Sequence, residues 1–377
     1  MQKEKIIQEL EELKNDNRFR TIKTNDKSLY NFSSNDYLGL AHDKDLLQKF
    51  YQNYSFDNYK LSSSSSRLID GSYLTVMRLE KKVEEIYGKP CLVFNSGFDA
   101  NSSVIETFFD KKSLIITDRL NHASIYEGCI NSRAKILRYN HLDVSTLEKL
   151  LKKYSKDYDD ILVVTETVYS MDGDCAEIKK ICDLKDEYKF NLMVDEAHSY
   201  GVYGYGIAYN EKLVDKIDFL VIPLGKAGAS VGAYVICDEV YKNYLINKSK
   251  KFIYSTALPP VNNLWNLFIL ENMINFQKRI EKFQELVTFS LSTLKKLNLK
   301  TKSTSHIISI IIGDNLNTVT LSNNLKELGY LAYAIKEPTV PKDTARLRIS
   351  LTADMKKEDI EKFFKTLKAE MKKIGVI

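Results

Sequence analysis

Between residues 91 and 222 the chain repeats one pattern: a short apolar run, a polar loop, then a helical stretch. The runs at 91–94, 113–117, 136–138, 161–165, 191–194 and 219–222 lack strict alternation, as strands buried on both faces do. Such βα alternation specifies an α/β fold with a mostly parallel sheet between helices. Ligands in that architecture bind beyond the carboxyl ends of the strands. The loops that follow each run are therefore where chemistry should be sought.

One of those loops carries a lysine. Ile217, Phe219, Leu220, Val221 and Ile222 lead into Pro223-Leu224-Gly225-Lys226-Ala227-Gly228, and Ala233, Tyr234, Val235 and Ile236 leave it. An amine delivered to the interior by two apolar strands sheds its proton more easily and becomes a nucleophile. A solvated loop lysine is the alternative. Upstream, Asn191-Leu192-Met193-Val194 ends at Asp195, with His198 three residues on. A carboxylate there can keep a heterocyclic nitrogen protonated where water is scarce. Asp195-Glu196-Ala197-His198 also resembles a helicase-type ATPase box, but no GxxxxGK[ST] loop precedes it. Asp118 to Ser124 places His122 after another strand. Phe94-Asn95-Ser96-Gly97-Phe98 turns strand into helix, where open amides suit a phosphate. Thr165 to Asp174 adds a polar loop with Ser170.

Length predicts about two domains for 377 residues. The character of the chain changes near Pro259-Pro260, so the expected segments are an N-terminal helix and connector over 1–45, a large domain over 46–265 and a smaller α+β domain over 266–377. Ile6, Leu10 and Leu13 mark a helical stripe near the N-terminus. The serine run at 62–66 reads either as a flexible linker or as a tight internal loop. The 55 basic and 50 acidic residues are interspersed, which gives nucleic-acid binding little support. Five scattered cysteines without CxxC spacing suit reduced thiols in a cytoplasmic protein rather than a disulfide framework or zinc site. No secretory h-region and no membrane-length apolar run is present.

Together with Asn35-Asp36-Tyr37-Leu38-Gly39, Tyr254-Ser255-Thr256, Pro338-Thr339-Val340-Pro341 and the stretch from Ala345 to Ala353, these motifs resemble the α-oxoamine synthases. Those are pyridoxal 5'-phosphate (PLP) enzymes of aminotransferase fold type I. The resemblance implies a seven-stranded sheet in the large domain and a covalent bond between PLP and Lys226. It implies that Asp195 pairs with the pyridine nitrogen, that His198 and Ser170 meet the ring's phenolic oxygen, and that His122 stacks on the ring. Gly97 and Phe98 would contribute main-chain contacts. Ser255 and Thr256 would reach the phosphate of a neighbouring subunit, implying a homodimer. Arg348 would hold an amino-acid carboxylate, and Arg18, Asn35 and Thr339 match substrate-contacting positions, with Arg20 adjacent to the first. The C-terminal signature points to the branch that condenses L-alanine with a pimeloyl thioester, carried on coenzyme A or acyl carrier protein. Glycine-using branches and a weakly active PLP-binding paralogue are the alternatives. Three departures stand out: Pro223 replaces the usual Thr or Ser, Val76 replaces a histidine, and the serine run replaces a Gly-rich loop.

Overall fold

The apolar runs pair as the pattern requires in the computed structural model, which describes residues 2–22, 24, 26, 28–54 and 60–377. In chain order the strands are β1 (Tyr30–Asn31), β2 (Cys91–Phe94), β3 (Leu114–Asp118), β4 (Lys135–Tyr139), β5 (Ile161–Glu166), β6 (Asn191–Asp195), β7 (Phe219–Pro223), β8 (Ala233–Ile236), β9 (Ile307–Gly313), β10 (Tyr330–Leu331), β11 (Tyr333–Ile335) and β12 (Ala345–Ser350). Seven of them form one sheet in the order β2-β8-β7-β6-β5-β3-β4. The pairs β3–β4, β3–β5, β5–β6 and β6–β7 are parallel, while β8 runs antiparallel to both β2 and β7. Strands β2, β3, β5, β7 and β8 are buried at every position, so alternation was never available to them as a signal. The edge strand β4 instead exposes Lys135 and Arg138, which discourages pairing with another chain.

The chain divides into two compact units. The larger comprises Asp36–Tyr169 and Cys175–Ile280; the smaller comprises Met1–Asn35, Ser170–Asp174 and Glu281–Ile377. Residue 265 lies inside the helix Pro260–Asn272, which packs on the helix Leu74–Tyr87 within the larger unit. Of the expected segment 1–45, Met1, Lys23, Asn25 and Lys27 lie outside the described residues.

The serine run is an internal loop, not a linker. Ser63 is fully buried and its hydroxyl donates to the Ala257 carbonyl at 2.6 Å; the Ala257 amide donates back to Ser65 at 3.0 Å. Arg67 then grips Glu80 through two bonds of 2.8 and 3.1 Å, and Glu80 also accepts from the Val93 amide at 2.9 Å. A buried bidentate pair of this kind costs about 3–5 kcal/mol to break from one side.

In the smaller unit β11-β12-β9 form an antiparallel sheet and β1 pairs with β10. The helices Asn315–Glu327 and Lys357–Lys373 belong to the same unit, and Phe363 stacks on Phe32 at 3.8 Å. Gly173 sits at φ 70°, and a Cβ there would lie 1.8 Å from the Ile307 carbonyl oxygen, so no other residue fits. The N-terminal helix forms over Gln2–Asn15 and buries none of its residues; Ile6 is 48% exposed and Leu10 42%. Its apolar stripe is therefore not part of this chain's core.

His306 is fully buried in this unit, and burial, then the nearby Arg348 charge, pushes its imidazole from 6.5 down to about 3. Between those values the unfolded chain binds a proton that the folded protein refuses. The contribution is complete above pH 6.5 and lost as pH falls toward 3, by up to about 1.4 kcal/mol per pH unit. Urea unfolding at pH 7, 6 and 5 should show falling midpoints, with a shallower fall in His306→Gln. Parallel pH profiles for the two proteins would contradict this.

Candidate active site

Five strand ends of the larger unit open on one cavity of about 230 Å³. After β2 it receives Ser96, Gly97, Phe98 and Asn101; after β3, His122 and Ser124. Strand β5 supplies Glu166, β6 supplies Asp195, Ala197 and His198, and the loop after β7 supplies Gly225, Lys226 and Ser230. Lys226 is half-buried rather than sunk in the interior, so the lysine is neither a solvated loop residue nor an enclosed one. Its loop is tight: Ala229 donates to the Lys226 carbonyl at 2.8 Å and Leu224 to that of Gly232 at 2.9 Å.

Asp195, only 3% exposed, is held from two sides. The Ala197 amide donates to Oδ1 at 2.7 Å and the Asn101 side-chain amide to Oδ2 at 2.6 Å. The next residue, Glu196, has a different job: its Oε1 accepts from the Ala208 amide at 2.8 Å, and burial pushes its carboxyl up to about 7. His198 is buried, lines the cavity and shares a 2.7 Å hydrogen bond between Nδ1 and the Tyr37 hydroxyl. His122 caps the helix Ala123–Ser132; its Nδ1 accepts from the Ser124 amide at 3.3 Å and lies 2.8 Å from the Ser124 hydroxyl. Part of the ring is open to solvent in the single chain, yet the surrounding protein lowers its basicity through burial. Asp195 works against that shift and Lys226 reinforces it.

The helix Gly97–Phe108 starts at the cavity wall. Ser96 Oγ accepts from the Asp99 amide at 3.0 Å and the Ser96 carbonyl takes the Ala100 amide, so the amides of Gly97 and Phe98 face no protein acceptor among the described residues. Such a helix start is an anion site. Pro223, at the end of β7, packs directly on Gly97: a Cβ on Gly97 would lie 2.6 Å from Pro223 Cγ. Ser255 lines a smaller recess with Arg67, Asn95 and Lys251, and the Thr256 carbonyl accepts from Asn95 at 2.7 Å.

The smaller unit holds the other expected residues. Arg348 is 8% exposed; its Nε donates to the Ser170 carbonyl at 2.6 Å and its Nη1 to Ser350 Oγ at 2.7 Å. Arg18 pairs with Asp16 at 2.6 Å, whereas its neighbour Arg20 donates to Thr339 Oγ1 at 2.9 Å and lines a groove with it. Asn35 closes the first segment of that unit.

Asn101, Tyr37 and Glu166 were not anticipated as site residues. Asn101 carried one faint signal, lying one helical turn beyond Gly97, on the face that looks back along the strand ends. Tyr37 belongs to a quoted motif, but its partner is 161 positions away.

The cavity suits PLP by its donor set. An amine, a doubly supported carboxylate, two imidazoles and an open helix start match an aldehyde, a pyridine nitrogen, a phenolic oxygen and a phosphate.

Comparison with known proteins agrees. The sequence profile of aminotransferase class I and II matches residues 27–367. A Pasteurella multocida protein whose name proposes it as an 8-amino-7-oxononanoate synthase is 40% identical over 376 residues, covering 96% of this chain and 97% of its own. A Haemophilus influenzae protein named in the same way is 39% identical, covering 94% and 98%. Among solved structures, the 8-amino-7-oxononanoate synthase of Francisella tularensis superposes with a TM-score of 0.79 at 28% identity, covering 92% of this chain and 99% of its own. An SPT structure with a PLP internal aldimine has a TM-score of 0.88 at 24% identity, covering 99% and 98%, and shares the fold.

The contact between Gly97 and Pro223 yields a test. Gly97→Ala forces a methyl group into the proline ring, an overpacking worth about 1–3 kcal/mol. PLP affinity, followed by fluorescence quenching, should drop roughly tenfold. Adding Pro223→Ser should restore most of it; equal affinity in Gly97→Ala and wild type would remove the helix start from the site.

Proposed function

The chain belongs to the aminotransferase class I and II family, and within it to the PLP-dependent α-oxoamine synthases; on that premise we propose that it is an 8-amino-7-oxononanoate synthase. It would join L-alanine to a pimeloyl thioester, in a cytoplasmic step of biotin synthesis. A bond forms between the alanine α-carbon and the thioester carbonyl, the C–S bond breaks to free the thiol, and the α-carboxylate departs as carbon dioxide. Supporting this reading is one cavity carrying both Lys226 and the doubly held Asp195, in a chain 40% identical, nearly end to end, to a protein named for the activity.

Bound PLP supplies an electron sink for the pair left on the α-carbon. Asp195 would pair with the pyridine nitrogen, and Asn101 and the Ala197 amide hold its carboxyl in place. Lys226 would hold the cofactor, and its amine, when free, would take the α-proton and return one. His122 forms one wall against the ring, and its neutral imidazole adds no charge there. His198, braced by Tyr37, would meet the phenolic oxygen. Gly97 and Phe98 give amide hydrogens to the phosphate.

Arg348 is offered for the amino-acid carboxylate, for which a planar fork is well shaped. Its Nε and Nη1 are already fixed by Ser170 and Ser350, so the guanidinium is oriented in advance. Thr339, with Arg20 bonded to it and Arg18 and Asn35 in the same unit, is offered for the acyl donor. Large apolar side chains exposed at Leu61, Leu68, Ile69, Leu74, Met77 and Tyr254 support a homodimer in which Ser255 and Thr256 serve the partner's phosphate. Among the described residues no helix is long and apolar enough to cross a membrane.

Purified protein supplied with PLP should release thiol from pimeloyl-coenzyme A or pimeloyl-acyl carrier protein with L-alanine, and mass spectrometry should find 8-amino-7-oxononanoate. Lys226→Ala should lose at least about a thousandfold in turnover. Faster thiol release with glycine and an acetyl thioester would replace this assignment with a glycine-using relative. Protein that stays colourless in excess PLP would remove the catalytic reading.

A further inference from the structure

Asp195 is not the only carboxyl in the cavity. Glu166 and Asp195 are the last residues of adjacent parallel strands and are register partners. They are 2% and 3% exposed, and both line the cavity. Two carboxylates side by side in a water-poor site cannot both ionise cheaply. Their partners differ. Asp195 takes two N–H donors, at 2.6 and 2.7 Å. Glu166 takes the His122 main-chain amide on Oε1, at 2.6 Å. That bond crosses from the end of β5 to the residue that caps the helix Ala123–Ser132.

We propose that Glu166 is a positioning residue that stays a neutral acid, pinning His122 at the cavity wall and leaving Asp195 the one negative charge beneath the ring. The charged and titratable groups that face it are Asp195 on β6, Lys226 beyond β7, Asp118 at the end of β3, Tyr139 at the end of β4 and Tyr169 beyond β5, with His122 beyond β3 held through its main-chain amide. Burial and Asp195 hold the proton on Glu166; the His122 amide and Lys226 pull the other way, and Asp118 adds to the first group. Burial prevails, so the carboxyl titrates well above its ordinary range. A neutral acid accepts the His122 amide through its carbonyl oxygen and still offers one O–H. A second carboxylate would compete with Asp195 for the pyridinium proton and would attract a proton onto Lys226.

The role given to His122 and Asp195 rests on the PLP reading, but the protonation of Glu166 can be measured without it. Protein labelled with 13C at the glutamate carboxyls gives one signal that disappears in Glu166→Gln, which assigns it. At pH 7 that signal should sit at the protonated position in cofactor-free protein and in PLP-loaded protein; a carboxylate position in either overturns the proposal. In the loaded protein, Glu166→Gln keeps the shape, the acceptor and the neutrality, so the pH midpoint of the visible cofactor band should stay in place. Removing a real negative charge beside Lys226 would lower the midpoint by about 1 unit or more, and that result also overturns it. Glu166→Met removes the acceptor for His122 and should weaken PLP binding roughly tenfold; binding as tight as wild type would refute the positioning role. If the protein fails to take up PLP at all, the family chemistry falls while the carboxyl signal still decides the state of Glu166.

Discussion

The site depends on holding one buried carboxyl in a fixed position. A buried carboxyl needs a partner on each oxygen, and Asp195 has one on both. The loop turn after β6 aims the Ala197 amide at one oxygen, and the first helix after β2 aims Asn101 at the other. Lys226 lines the same cavity. The parallel sheet matters because it ends several strands at one edge, so that groups far apart in sequence arrive within a few ångströms. The antiparallel strand β8 contributes differently: it returns directly from β7 and so pins both ends of the lysine loop.

Much of this was legible in the residues, for definable reasons. Buried parallel strands announce themselves as apolar runs, and the loop after each run is by geometry at the ligand edge; Asp195, His122, Gly97 and Lys226 stand in such loops or strand ends and line one cavity. The supporting shell was not. Asn101 looks like any polar residue early in a helix, and only the path of that helix turns it toward Asp195. Glu166 reads as an ordinary strand terminus until its register partner is known. Tyr37 binds His198 through a contact that no local pattern encodes.

Local composition also pointed two ways at once. A serine run can be a flexible tether, and here burial of Ser63, the Ala257 pairing and the Arg67–Glu80 clamp make it an ordered loop. Conversely, the stripe of Ile6 and Leu10 has helical spacing but no core beneath it. Periodicity reports an apolar face; it does not say what covers that face. Pro223 is the subtler example. As a lost hydroxyl it reads as a deficit, whereas in space its ring is the surface on which Gly97 rests.

The chain leaves the larger unit after Tyr169 and re-enters it at Cys175, where Val168 and Cys175 bridge. The five residues between belong to the smaller unit: Asp172 pairs with Arg346 at 2.6 Å, the Ser170 carbonyl holds Arg348, and Gly173 fits under Ile307. This threading means that no single cut yields two complete halves. A C-terminal fragment beginning near residue 281 would keep the Ser350 partner of Arg348 and the Thr344 partner of Arg346 but lose Ser170 and Asp172, so residues 281–377 wait on a pentapeptide made long before them.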